Sequence, residues 1–263
     1  TGFKAISTNL GANATVYAGL PMDPSIYFAN PEEAENFEVG FKKTFSNGYL
    51  NMSFFHMAVE GYQSNLFIGT GFNLVNIGEQ TNKGVEIDSL FFLNENFVVT
   101  FAASYIDATY NDFKNGPCDR TFVPPASDDC PIVNGGPARV KDFTGRRPSG
   151  VPELAITVSG TYTFDLTENM TGYIRGEYVY EDEYQATDAV PVEVPGALRK
   201  VGTLNASLGV KDSASGFSLM LWGRNINDDE FIYTGFNVPG SPGSYAGYPV
   251  VPKMWGLTLS REF

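Results

Sequence analysis

The C-terminal segment of the chain, residues 252–263, alternates between apolar and small or polar side chains over most of its length. The apolar members of this segment share one parity: Trp255, Leu257, Leu259 and Phe263. A period of two predicts a β-strand with one apolar face and one polar face. A strand that runs to a terminal aromatic residue is uncommon in soluble proteins. It is common where the last strand closes a membrane β-barrel, so we expect these four residues to lie on a barrel-closing strand.

The composition agrees with a membrane-spanning β-sheet. The sequence has no uninterrupted apolar run of about 18 residues, the length that a membrane-spanning helix needs. Only helices and closed barrels satisfy their backbone polar groups in lipid, so the remaining membrane architecture is a barrel. The mean hydropathy of −0.14 is compatible with this, because barrel strands present an apolar residue to lipid only at every second position.

Similar strand patterns recur along the whole chain. They cover residues 2–8, 36–45, 49–60, 83–93, 97–110, 154–164, 170–180, 201–210 and 217–226. With the C-terminal segment, they predict about ten strands. The fold class that we predict is therefore all-β, an antiparallel transmembrane β-barrel.

The connections between these segments alternate between short and long. The short turns centre on Asn47, Glu95, Thr167 and Ser213. The long connections are residues 10–35, 61–82, 111–150, 181–199 and 227–251. Short turns on one side and long loops on the other are typical of outer-membrane barrels, where the turns are periplasmic and the loops external.

The charge of the chain excludes one class of partner and leaves two interpretations of its surface. The net charge is −13, and most of it lies in the long connections. An acidic chain is not expected to bind nucleic acid. Its loops are either simply hydrated or bridged by divalent cations to lipopolysaccharide.

Several segments resemble the C-terminal barrel of TonB-dependent outer-membrane receptors. They occur in the same order as in that family and cover nearly the whole chain. They are GFKAIST (2–8), the Pro-Glu and Phe-Glu-x-Gly-x-Lys pattern in 31–63, NKGVEID (82–88), DFTGRRPSGVPEL (142–154), WGRNINDDEF (222–231) and PKMWGLTLSREF (252–263).

The resemblance implies that residues 1–263 are the C-terminal part of a barrel of 22 strands. The plug domain and the N-terminal strands would then lie outside this chain. An open sheet of ten strands would leave two unpaired edges in lipid, so the other strands are expected to come from sequence outside this chain. The alternative is a self-contained ten-strand barrel, which does not fit a chain that begins within a strand. The expected location is the outer membrane of a Gram-negative bacterium. The expected partners are the TonB complex through the plug, outer-membrane lipid and lipopolysaccharide, the barrel assembly machinery, and a small-molecule nutrient.

The function that the resemblance implies is TonB-dependent active uptake of a scarce nutrient, with a ferric siderophore or similar chelate as the commonest case. No cofactor is expected. The alternative is a passive porin or an adhesin barrel without energy coupling. An outer-membrane hydrolase would have to use His56, the only histidine, with Ser53, and we expect that the chain is not an enzyme.

Candidate site residues lie mainly in the long connections. Cys118 and Cys130 share one polar loop, and in an oxidising compartment they are expected to form a disulfide rather than remain free thiols. The loop residues best suited to hold a ligand by charge or by stacking are Arg146, Arg147, Tyr184, Tyr233 and Tyr245. Polar residues on the strands are expected to face the barrel lumen, where they contact a plug or simply form a hydrated wall: Glu86, Asp88, Arg175, Glu177 and Arg224.

Overall fold

The computed structural model describes residues 1–8, 27–68, 71–114, 116–117, 140–238, 241 and 243–262. Its strands, in chain order, are β1 Gly2–Lys4, β2 Ser7–Thr8, β3 Phe28–Ala29, β4 Glu32–Phe45, β5 Gly48–Glu60, β6 Gln63–Ile68, β7 Gly71–Asn76, β8 Glu79–Asn94, β9 Phe97–Asp112, β10 Gly116–Pro117, β11 Val140–Lys141, β12 Leu154–Asp165, β13 Met170–Gln185, β14 Leu198–Asp212, β15 Phe217–Arg224, β16 Ile232–Asn237, β17 Tyr245–Pro249 and β18 Met254–Arg261. Among the residues described, no helix is long and apolar enough to cross a membrane.

Ten of the strands form a single sheet in the order β1-β4-β5-β8-β9-β12-β13-β14-β15-β18. Every neighbouring pair is antiparallel. The strand order follows the chain order, so each strand pairs with the strand before it and the strand after it. The all-β antiparallel fold class is therefore confirmed. The sheet is open, with β1 and β18 at its two edges.

Register across the sheet sorts the side chains onto two chemically different faces. One row of directly opposed residues is Phe41, Met52, Ile87, Ala103 and Ile156. The adjacent row, displaced by one residue and therefore on the other face, is Lys42, Asn51, Asp88, Ala102 and Thr157. A sheet with one apolar and one polar face fits a barrel wall between lipid and an aqueous lumen.

The apolar face carries large exposed side chains along its whole width. On β4, Phe41 is 53% exposed, and at the opposite edge Leu257 and Leu259 on β18 are 67% and 68% exposed. Trp255 lies on the same face of β18 and is 58% exposed. Burying such a face needs an apolar environment, and in a barrel that environment is the hydrocarbon of the membrane.

Aromatic rings lie over glycines on neighbouring strands. On the polar face, Trp222 is directly opposite Gly256 and Tyr173 is directly opposite Gly209. A Cβ atom built on either glycine would overlap the ring that covers it. This pairing lets a large ring cover the backbone of the next strand, a known way to stabilise glycines within a sheet.

Nine of the ten main strands occur where the alternation predicts them, but several extend farther at the end that carries the long connections, which we call the long-loop rim. The strand predicted over residues 2–8 is divided, because only Gly2–Lys4 joins the main sheet and Ser7–Thr8 pairs with Phe28–Ala29. β4 begins at Glu32 rather than at residue 36, and β13 continues to Gln185 rather than ending at residue 180. The added residues do not alternate cleanly, because a strand that rises beyond the apolar band needs no lipid-facing side chains. The backbone hydrogen bonding between strands therefore continues at the rim although the side chains there do not alternate.

Two connections that the sequence predicts as loops contain hairpins of their own. β6 pairs with β7 inside residues 61–82, and β16 pairs with β17 inside residues 227–251. Neither hairpin joins the main sheet. Short strands of this kind lack the long alternating pattern from which the main strands are predicted.

At the rim, β14 rises beyond the end of β15, and side chains take over the role of a neighbouring strand. The Leu204 N–H donates to Asn227 Oδ1 at 2.8 Å, and Asn227 Nδ2 donates to the Gly202 carbonyl at 2.7 Å. The Gly202 N–H donates to Asp229 Oδ2 at 2.7 Å. Because an unpaired strand edge is costly when water is excluded, these side chains allow the longer β14 to remain ordered.

Asn225 is the centre of this rim structure. It is 4% exposed and has a φ of 48°, a conformation that asparagine tolerates better than most residues. Its Nδ2 donates to the carbonyls of Asp229 and Val251 at 2.9 and 3.2 Å, and its Oδ1 accepts from the Asp229 N–H at 2.8 Å. Its own N–H donates to Asn205 Oδ1 at 3.0 Å. Residues 225–231, which follow β15, are called the strap here. Asn225 thus joins the strap to Val251, in the segment that returns towards β18.

Candidate functional site

An arginine enclosed by aromatic rings lies at the long-loop rim. The Arg199 guanidinium carbon is 5.4 Å from the ring centroid of Tyr184, 5.0 Å from that of Phe231 and 4.9 Å from that of Tyr233. We call these residues, together with Glu181, the arginine cage. Contacts of this kind between a guanidinium and aromatic rings are attractive and become stronger when water is excluded.

The cage forms because of an irregularity in the β13–β14 ladder. The register shifts between Glu181 and Tyr184, after which Tyr184 is directly opposite Arg199. A bulge redirects the side chains that follow it. Here it brings Tyr184 and Arg199 onto neighbouring positions and leaves Glu181 within reach of both.

Glu181 neutralises the arginine and also accepts a hydrogen bond from the buried tyrosine. Arg199 Nη2 is 2.9 Å from Glu181 Oε2, and the Tyr184 hydroxyl donates to the same oxygen at 2.6 Å. Tyr184 is only 6% exposed, and burial raises the pKa of its hydroxyl, which therefore stays protonated as a donor. Arg199 Nε is buried without a hydrogen-bond acceptor among the residues described.

Tyr233 is the part of the cage that faces solvent. It is 60% exposed, although its ring contacts the Arg199 guanidinium. A ring fixed from one side and open on the other can stack on a planar or apolar group of a ligand. The structure thus brings together two of the candidate ligand residues, Tyr184 and Tyr233.

Arg146 and Arg147 lie elsewhere on the rim and have partners of their own. Arg147 Nη1 donates to the Ile106 carbonyl at 2.8 Å, and its Nη2 is 3.5 Å from Glu153 Oε2. The Arg146 guanidinium carbon is 4.7 Å from the ring centroid of Phe143. Phe143 belongs to a buried cluster with Ile77, Tyr110 and Phe113. Arg147 therefore joins β9 to the residue that precedes β12, whereas Arg146 packs on the ring of Phe143, and these partners are not cage residues.

Tyr245 lies on β17, where it is opposite Asn237. It lines a cavity of about 270 Å³ between the β16–β17 hairpin and residues 186–197. Gly235 and Gly247 are directly opposite each other on the hairpin, and a Cβ on Gly235 would meet the Val190 side chain of the neighbouring loop at 3.1 Å. The hairpin thus packs closely on that loop at Gly235, and Tyr245 lines the same cavity.

The polar face of the sheet below the cage carries a hydrogen-bonded network. Arg175 Nη2 is 2.9 Å from Glu177 Oε2, and Arg175 Nη1 donates to Thr161 Oγ1 at 3.2 Å. Asn205 Nδ2 donates to Glu177 Oε1 at 3.2 Å. Glu86 and Asp88 line a separate recess on the same face with Glu38, Lys42, Asn51 and Ser53. These residues give this face of the sheet the polar surface that a water-filled lumen requires.

The predicted disulfide and the terminal aromatic residue fall outside the part of the chain that the structure describes, and His56 lies away from the cage. Cys118, Cys130 and Phe263 lie outside the described residues, so their predicted roles stay predictions. His56 is exposed on the apolar face, opposite Phe37 and Lys83. Within the described residues, no group of three or more histidine, cysteine and acidic side chains could hold a metal ion.

Sequence reasoning missed three members of the cage: Arg199, Phe231 and Glu181. Arg199 lies two residues before Val201, the first residue of the alternating segment 201–210, and shares the parity of its inward-facing positions. This is the signal that could have placed Arg199 on the lumen side. No sequence pattern marks the bulge at Glu181–Tyr184, and this bulge is what places Tyr184 directly opposite Arg199.

Comparison with known proteins identifies one family and several similar structures. The family model for the TonB dependent receptor-like β-barrel matches residues 1–226. The ferric yersiniabactin uptake receptor FyuA from Yersinia pestis is 16% identical, with a TM-score of 0.69 over 100% of this chain and 34% of that one. No curated protein matches the chain at a significant level.

Two further receptors, both from Acinetobacter baumannii, have similar structures. The siderophore receptor PiuA is 15% identical, with a TM-score of 0.59 over 90% of this chain and 29% of that one. The ferric preacinetobactin receptor BauA is 13% identical, with a TM-score of 0.58 over 98% of this chain and 33% of that one. The chain thus spans about a third of the length of these three proteins. At such low sequence identity, the structural similarity shows a shared fold alone.

Proposed function

Because the chain belongs to the TonB-dependent receptor-like β-barrel family, we propose that it forms part of an outer-membrane receptor that imports a scarce nutrient with energy relayed by TonB. The family match over residues 1–226 is the observation that carries this proposal. The location would be the outer membrane of a Gram-negative bacterium. An apolar outer face and a polar inner face support that placement.

In this proposal, residues 1–263 are the C-terminal part of the receptor. The sheet has two free edges at β1 and β18, and lipid does not tolerate unpaired edges. The other strands and a plug that contacts TonB would come from the rest of the receptor. The terminal strand, with Trp255, Leu257 and Leu259 on its outer face, would close the barrel and be the segment that the barrel assembly machinery recognises.

The cargo that we propose is a ferric siderophore or a similar metal chelate. The names of the three similar receptors point to this class, and the arginine cage offers suitable chemistry. Tyr233 presents an open ring at the rim of the polar face, and the Arg199 guanidinium lies against the ring of Tyr233. An exposed ring held beside a cation is suited to a ligand with planar chelating groups.

Uptake by the intact receptor tests this function. The full-length protein is expressed in a Gram-negative strain that lacks its own ferric-chelate receptors, and import of radioiron is measured for a panel of ferric chelates. We expect import of at least one chelate, lost when TonB is deleted. Import that persists without TonB would indicate a passive pore. Failure to import any ferric chelate would overturn the proposed cargo.

Substitutions in the cage test the ligand contact. Tyr233→Leu removes the exposed ring, so we expect the affinity for the imported chelate to fall about tenfold, the loss expected for roughly 1.4 kcal/mol. Arg199→Lys keeps the charge but loses the planar stacking surface, and we expect a smaller loss. Affinity is measured by fluorescence titration of the purified receptor.

Tyr248→Leu is the matched control for Tyr233→Leu. Tyr248 is 62% exposed on the same hairpin and contacts the ring of Phe236 rather than an arginine. We expect it to change the affinity by less than about twofold, within the usual effect of a surface substitution. Equal losses for the two tyrosines would contradict a role for the cage.

A further inference from the structure

The cavity of about 270 Å³ between residues 186–197 and the β16–β17 hairpin has an apolar wall. Among the described residues that line it, only Thr187 and Tyr245 carry polar side chains, and the others are glycine, alanine, valine, isoleucine or proline. An apolar cavity of about 150 Å³ is large enough to hold benzene. The space beside the hairpin is therefore large enough for a substituted aromatic ring.

The space exists because the hairpin and the loop touch mainly at small residues. A Cβ added to Gly196 or to Gly247 would approach the Ile232 side chain at 2.7 Å. A Cβ added to Gly235 would meet the Val190 side chain at 3.1 Å. These close contacts hold the two walls at a fixed separation and leave the space between them unfilled.

The polar groups of the loop wall are already engaged with one another. The Val190 carbonyl accepts from Gln185 Nε2 at 2.9 Å, and the Ala186 N–H donates to the Ala197 carbonyl at 3.0 Å. The hydroxyl oxygen of Thr187 accepts a backbone N–H at 3.2 Å. Water in this space finds few partners, so an apolar group that displaces it gains affinity.

The arginine cage beside the cavity offers a ligand little net charge. Arg199 Nη2 is 2.9 Å from Glu181 Oε2, and because the two charges cancel, the attraction for an anionic group is weak. What the cage presents outward is the ring of Tyr233, which is 60% exposed. The cage and the cavity therefore both favour rings and apolar groups over charged ones.

The cage and the cavity are neighbours on both of the elements that form them. On β16, Gly235 in the cavity wall follows Tyr233 by two residues. At the start of β14, Arg199 follows Ala197 in the cavity wall by two residues. Two residues of extended chain span about 7 Å, so one ligand can contact the ring of Tyr233 and reach the cavity with a short arm.

We propose that this cavity binds a compact apolar arm, of the size of a phenyl ring, on the chelate that the receptor imports. The receptor thereby selects chelates with an uncharged aromatic arm over chelates with a small or charged arm. The identity of the ligand as a chelate rests on the proposed function, whereas the apolar site itself does not.

A small aromatic probe tests the cavity without the cargo. Crystals of the full-length receptor are soaked in iodobenzene, and its iodine is located by anomalous scattering. We expect an iodine peak inside the cavity of the parent protein and none in Val194→Phe, because Val194 lines the cavity and phenylalanine fills it. Val192→Phe is the matched control, since Val192 is 46% exposed on the same loop and lies outside the cavity wall. We expect the control to keep the peak.

Three matched ligands test the arm. They are neutral ferric trihydroxamates that differ only in one arm, which is phenyl, methyl or carboxyphenyl, and their affinities are measured by fluorescence titration of the purified receptor. We expect the parent and Val192→Phe to bind the phenyl form about tenfold more tightly than the other two, because burial removes the ring from water. In Val194→Phe we expect the three affinities to agree within about twofold, with the methyl form bound as in the parent, which shows that the variant is folded.

A variant that enlarges the cavity gives the opposite result. Val194→Ala removes two methyl groups from the wall, and we expect it to bind a chelate with a naphthyl arm at least about fivefold more tightly than the parent does. An unchanged affinity for the naphthyl form would contradict an arm seated beside Val194.

The remaining outcomes separate this site from the cargo. No iodine peak in the parent, equal affinities of the parent for the phenyl and methyl forms, or equal losses in the two phenylalanine variants would each overturn the proposed site. Tighter binding of the carboxyphenyl form would replace the apolar site with an anion site. Radioiron import is measured on the same proteins. An iodine peak that Val194→Phe abolishes, in a receptor that imports no ferric chelate, would refute the cargo and leave the apolar site in place.

Discussion

Replacing Phe54 with arginine is expected to destabilise the membrane-inserted protein by about 2–4 kcal/mol, the cost of a cation on the lipid face near the bilayer midplane. Phe54 is 52% exposed on the apolar face of β5 and lies directly opposite Val39 and Val85. The loss is measured as the shift in the urea unfolding transition of the intact protein in phospholipid vesicles.

Ser53→Arg is the matched control for this substitution. Ser53 is the preceding residue on the same strand, so its side chain lies on the polar face, directly opposite Gly40 and Glu86. An arginine there enters a hydrated wall beside a carboxylate, and we expect a change below about 1 kcal/mol. Equal losses at the two positions would contradict the assignment of the lipid and lumen faces.

Asn225→Ala is expected to destabilise the long-loop rim by about 3 kcal/mol. The substitution leaves the Asp229 N–H and the carbonyls of Asp229 and Val251 without the partner that Asn225 provides, and each unsatisfied buried group costs about 1–3 kcal/mol, partly relieved by water. Alanine also tolerates the positive φ poorly. Hydrogen exchange of residues 198–205 and 225–231 is expected to report the loss as faster exchange, because β14 depends on the strap for its edge partners.

Asn225→Gly separates the two causes. Glycine accepts the positive φ but provides no side-chain hydrogen bonds, so most of the loss is expected to remain. If the glycine variant exchanged as slowly as the parent, backbone conformation alone would explain the effect, and the hydrogen-bond account of the rim would be wrong.

The sequence contains enough information for the sheet because lipid and lumen impose opposite chemistry on alternate residues. The alternation on β5, β12 and β18 places these strands and their two faces without any structural knowledge. The short turns also follow from sequence, since Asn47-Gly48 is a strong hairpin signal. The strands that cross the membrane, and the two faces of each strand, can therefore be predicted from the sequence.

The rim is constrained differently, and its structure is harder to predict. Arg199 and Phe231 are more than thirty residues apart in the sequence. They come into contact because the β16–β17 hairpin folds back onto the β13–β14 loop. Asn227 and Asp229 act as edge partners through side chains rather than through a backbone ladder. Such contacts depend on tertiary register and leave no periodic signal. This is why two tyrosines of the cage are predictable as loop aromatics, whereas the arginine that joins them is not.

The most direct test of the account is the environment of β14 in a bilayer. Nitroxide labels are placed singly at residues 203–210 of the intact receptor, and their collisions with oxygen and with a water-soluble nickel chelate are measured. We expect oxygen accessibility to peak at Leu204, Ala206, Leu208 and Val210, with nickel accessibility higher at the residues between them. Peaks of oxygen accessibility at Thr203, Asn205, Ser207 and Gly209, or no two-residue period, would contradict a barrel wall with its apolar face in lipid.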